Sequence, residues 1–154
     1  MIRSIRFLPM SAAVVLSLLA GAPTALAAND VNSPTLQRIM LKLGEDMQQV
    51  TQAIAMEDWQ RVAELAPGIG QHEQPPLAEK TRILRWLSSN AGQFRKFDTV
   101  VHERAAILGD AAQQEDGDAV IAAFADLQRG CLACHRVFRA SFIERFHRRG
   151  DRDD

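Results

Sequence analysis

Five consecutive residues, Cys131-Leu132-Ala133-Cys134-His135, carry the side chains best suited to chemistry, and they include both cysteines of the chain. On a helix, positions i, i+3 and i+4 share one face. Both thiols can then form thioethers to the two vinyl groups of one porphyrin while the imidazole reaches its iron, so C-x-x-C-H is the spacing of c-type haem attachment. Three other uses of the pair compete. A disulfide would be strained, because successive helical turns fix the Cα positions without regard to disulfide geometry. A redox dithiol normally sits at a helix N-terminus in a fold with a sheet, whereas Cys131 lies well inside a helical pattern. Zinc needs a fourth ligand and usually a second Cys or His pair, and His147, twelve residues beyond His135, is a poor partner. The expectation is one covalent haem c per chain, its iron held by His135. A haem-free CxxC redox or zinc protein is the remaining reading.

The opposite side of the iron decides what such a haem does. A Met ligand suits electron transfer, and an open position suits gas binding. Met40 and Met47, seven residues apart, lie on one apolar stripe, although Met at core spacing commonly serves packing. His102 and His72 are further candidates, although a lone His is more often a surface or satisfied group. His147, near Arg145, Arg148 and Arg149, reads as solvated.

The elements that must position these residues are helical. Leu36, Ile39, Met40, Leu43, Met47, Val50 and Ile54 recur at steps of three and four. With Ser33 as cap and Pro34 at the first helical position, the spacing predicts a helix over 33–56. A second helix starts at Asp58, with Trp59, Val62, Leu65 and Ile69 inward, and must end near the breaker cluster Pro67-Gly68-Ile69-Gly70. Pro75-Pro76 restarts the chain. A short helix follows, carrying Leu77, Ile83, Leu84, Trp86 and Leu87, and Ser88-Ser89-Asn90 with Gly92 is a weaker break. The next helix buries Phe94, Phe97, Val101, Ala105 and Leu108. Glu115 to Asp118 is a turn, with Asp118 as cap of the last helix, whose stripe is Val120, Ile121, Phe124, Leu127, Cys131, Cys134, Phe138, Phe142 and Phe146. Gly150 and the charged residues after it form a frayed tail. No run alternates with a period of two. The class is therefore all-α, an up-down-up-down four-helix bundle with haem on the C-terminal helix.

The N-terminal segment has a separate role. Arg3 and Arg6, the apolar run Phe7 to Ala20 and the small-x-small site Ala25-Leu26-Ala27 read as a secretory signal peptide, so residues 1–27 are expected to be cleaved. The apolar run falls short of the roughly 20 residues of a spanning helix, which argues against a stable membrane anchor. Over 154 residues the net charge is −1. Without Arg3 and Arg6 the mature domain, residues 28–154, has 16 basic against 19 acidic residues, a net charge of −3. That balance excludes the basic excess of nucleic-acid binders. The 47% apolar content excludes a disordered chain.

With these residues in place, the chain resembles the class II c-type cytochromes, the cytochrome c prime family: exported four-helix bundles with C-x-x-C-H near the C-terminus. The likeness is closest from Phe94 through Arg139. It rests on the Gly117-Asp118 turn, Ala122-Ala123-Phe124, the Cys131–His135 motif and Phe138-Arg139. Arg139, four residues after the haem His, matches an Arg that lies near the proximal haem face in the family. Leu43 and Gly44 place Met40 where the family has its distal residue, apolar in five-coordinate high-spin members and Met in low-spin ones. The resemblance thus implies a periplasmic monohaem electron carrier with His135 proximal and Met40 distal, exchanging electrons with redox partner proteins and not acting as an enzyme. A five-coordinate cytochrome binding NO or CO is the alternative. The resemblance also implies a homodimer through the first helix.

Overall fold

The computed structural model describes residues 35–146. The signal segment, the capping pair Ser33 and Pro34, and His147 with the charged tail lie outside the described residues. Five helices follow one another: α1 (Thr35–Ala55), α2 (Trp59–Gly70), α3 (Leu77–Leu87), α4 (Ala91–Gln113) and α5 (Gly117–Phe146), with a 3-10 turn at Ser88–Asn90 before α4. Among the described residues there is no strand. The long elements α1, α2, α4 and α5 make an up-down-up-down four-helix bundle. In it α4 packs broadly on both α2 and α5, α1 rests on α2, and α1 touches α5 only sparsely.

Two apolar clusters fill the interior. An aliphatic one joins Val50, Val62, Ala66, Ile69, Leu108, Val120 and Leu127. An aromatic one joins Ile83, Leu87 and Phe138, with Leu36, Phe94, Phe97, Trp86, Phe142 and Cys134 packed against it. The start of α1 therefore lies beside the end of α5, and the end of α1 beside the start of α5, so the two helices are antiparallel.

The predicted stripes hold with three local differences. α2 runs through Pro67 and Gly68 and stops only at Gly70. Pro67 has no N–H to give, but burial of Val62, Ala66, Ile69 and Gly70 on one face outweighs the lost bond. The α5 cap is Asp116, whose Oδ1 accepts the Ala119 N–H at 3.0 Å, and not Asp118, which lies in the first turn. Glu115, at φ 53°, turns the chain within the predicted turn. Ile121 and Met40 point outward.

The start of α1 is capped from another helix. The Glu79 carboxylate of α3 accepts the N–H of Thr35 and of Leu36, each at 3.0 Å, satisfying two donors that the first turn of a helix leaves unpaired. Burial alone would raise this carboxyl. The Leu36 N–H, the Thr35 hydroxyl and N–H, and the Arg82 guanidinium outweigh it and hold Glu79 below its ordinary value.

Candidate haem site on the last helix

The antiparallel α4–α5 pair positions the motif. Gly130 lets the two helices approach: a Cβ there would stand 3.2 Å from Arg104 Nη1 and 3.6 Å from Val101 Cγ2. Arg104 reaches across the seam and donates to the Asp126 carbonyl at 2.6 Å. One turn on, Cys131 and Cys134 are both unbridged and half-buried. Cys134 belongs to the aromatic cluster.

Their electrostatics favour neutral thiols. Burial raises Cys131 against a smaller opposing pull from its own backbone and from Arg104. Burial, then the Asp98 and Cys131 charges, push Cys134 up to about 11. A dithiol redox centre or a zinc thiolate site needs the thiolate, and these cysteines, inside a 30-residue helix, have no helix N-terminus to supply it. Partial desolvation and then the Arg139 guanidinium lower the His135 imidazole below its ordinary value. This favours the neutral ring that ligates a metal. His135 and Arg139 both lie exposed on α5.

The residues present fit a covalently held haem. Two free thiols stand one turn apart on one face, a neutral imidazole follows the second, and the adjacent α1–α5 flank is thinly packed. Met40 lies on α1 and points outward. Leu36, one turn earlier on α1, packs against the cluster that includes Cys134 and Phe138. Met40 is 38% exposed and belongs to neither core cluster, whereas Met47 packs against the aliphatic one.

The structure thus brings Cys131, Cys134, His135 and Arg139 together on one helix, with Met40 on α1. His72 and His102 lie off the motif's helix, stacked on each other at the α2–α4 seam beside Asp98, whose charge also acts on Cys134. Asp98 and Arg104, the charged groups acting on the two thiols, escape sequence reasoning. Their only signal is a place on the α4 face that meets α5. An open groove of about 460 Å³ between α1 and α2 carries Lys42, Asp46 and Glu64 and takes no residue from α5. No helix among the described residues is long and apolar enough to cross a membrane.

A four-helix bundle that carries C-x-x-C-H on its last helix defines a haem-anchoring class of protein. The family model described as Cytochrome C' matches residues 32–139, and the chain belongs to that family. Membership implies haem c with its iron, used in electron carriage or gas binding, in a family that is usually periplasmic. No curated protein and no solved structure matches the chain.

Proposed function

We propose that the chain is an exported, periplasmic monohaem electron carrier. When bound, the haem supplies reversible one-electron exchange between Fe(II) and Fe(III). Cys131 and Cys134 tether it and His135 holds the iron from α5. Arg139 stands by the same face, and Met40 offers its thioether from α1. The protein makes and breaks no bonds of a substrate. Its residues orient the group, exclude water from one side through the Phe94, Phe97 and Phe138 cluster, and set the surrounding charge. Redox partner proteins exchange electrons at the exposed edge, and copies of the chain pair through α1.

The observation that carries this reading is Met40. A thioether on α1, part-exposed and outside both clusters, is available as a ligand and is not needed for packing. The oxidised protein is expected to show the Met-sulfur-to-iron charge-transfer band, and Met40→Ala to abolish it and open the iron to carbon monoxide. A wild-type high-spin spectrum that shifts with carbon monoxide would overturn the Met40 assignment in favour of a gas-binding cytochrome. Absence of covalent haem staining after denaturing electrophoresis would overturn both.

A further inference from the structure

We propose that His72, Asp98 and His102 form a binding site for a divalent transition-metal ion of the zinc type, on the α2–α4 seam. One ligand atom from each residue lies within 4.8 Å of the other two. His72 Nε2 stands 3.5 Å from Asp98 Oδ1, and His102 Nε2 3.3 Å from Asp98 Oδ2. Ligands at 2.0–2.1 Å around a tetrahedral zinc stand about 3.3 Å apart, so the side chains need only small adjustments.

The hydrogen bonding of His72 points to a cation. Its Nδ1 lies 3.1 Å from the Ile69 carbonyl oxygen. A carbonyl only accepts, so Nδ1 carries the hydrogen, and Nε2 of the neutral ring turns a lone pair on the Asp98 carboxylate. Two acceptors then face each other and call for a positive charge between them. The two rings stack with centroids 5.1 Å apart, which keeps both nitrogens near the one carboxylate. One metal ion satisfies both ring nitrogens and the carboxylate together. The Ile69 carbonyl is also the kind of outer partner that fixes the tautomer and direction of a metal-binding His.

The backbone builds this meeting place. At Gly70 a Cβ would stand 3.2 Å from Ala105 Cβ and 3.5 Å from the His102 carbonyl oxygen. The absence of a side chain there lets the end of α2 settle on α4 and carry His72 over His102. The His72 side chain is 9% exposed, while Asp98 and His102 are open enough to admit an ion and leave a water in its fourth position.

The test is calorimetric titration of zinc chloride into the mature haem-loaded protein and into His72→Gln, Asp98→Asn and His102→Gln. One saturable equivalent is expected, weakened at least tenfold in each variant. Zinc should also raise the unfolding temperature of the wild type and not of the triple variant. Circular dichroism checks that each variant is folded, and the half-open His102 position keeps the test available if His72→Gln is not. An equivalent of zinc retained by the triple variant, or no saturable binding by the wild type, would overturn the site. The three variants leave Cys131, Cys134 and His135 intact, and haem staining of each variant reads haem attachment separately from zinc binding.

Discussion

Glu79 shows how one residue can hold an element in place. Its carboxylate takes up two N–H groups at the start of α1 from 43 and 44 residues away. Replacement by Gln keeps the size and removes the charge, and the loss of such a charged hydrogen-bond acceptor costs about 1–3 kcal/mol. The folded-state value lies below the ordinary 4.5. Its contribution is therefore complete above that ordinary value and drains away as pH falls through the lowered folded one. The stability gap between wild type and Glu79→Gln, measured by urea unfolding, is expected to be widest near neutrality and to narrow in acid. A gap that stays constant down to pH 3 would rule out the charged cap. Nothing in the sequence near Thr35 announces Glu79, because the pairing exists only once α3 has folded back. The triad is hidden for the same reason: Asp98 and His102 are visible as neighbours on one helix, but His72 joins them only through the α2–α4 packing. Cys131, Cys134 and His135 are legible because their geometry is local to one turn.

At the scale of the element, apolar periodicity made the helices readable, and their ends depended on finer features. Asp116 and Asp118 are both plausible caps by type, and the left-handed Glu115 decides between them. Asp116→Ala is expected to destabilise the protein by about 1 kcal/mol, through loss of the bond to the Ala119 N–H. Asp118→Ala should cost only about 0.3–1 kcal/mol, since it interacts with the helix dipole alone. Chemical denaturation of the two variants checks the order, and equal losses would contradict the assignment of the cap. Pro67 illustrates the opposite case, where a strong local breaker yields to tertiary burial of the residues around it.

At the scale of the whole molecule, the two clusters divide the labour. The aliphatic one is closed by side chains of four helices. The aromatic one has Cys134 packed against it, so on the proposed reading it depends on the tethered haem. A Cys131→Ser/Cys134→Ser chain is therefore expected to keep slow amide exchange around Val62, Leu108 and Leu127 and to lose it around Phe138. Uniform loss across both clusters would show that they are one cooperative unit.

The break at Ser88, whose φ of 50° is rare for a residue with a side chain, has a consequence for solubility. Continued straight, α3 and α4 would form one rod, carrying Trp86, Ile83 and Leu87 away from α5. Phe142 and Phe146, four apart, would then line a bare strip of the kind that draws copies of a chain together. The bend instead lays Trp86 edge-on against Phe142 and Phe146, at 5.9 and 5.4 Å. A single strained residue thereby turns an adhesive surface into interior.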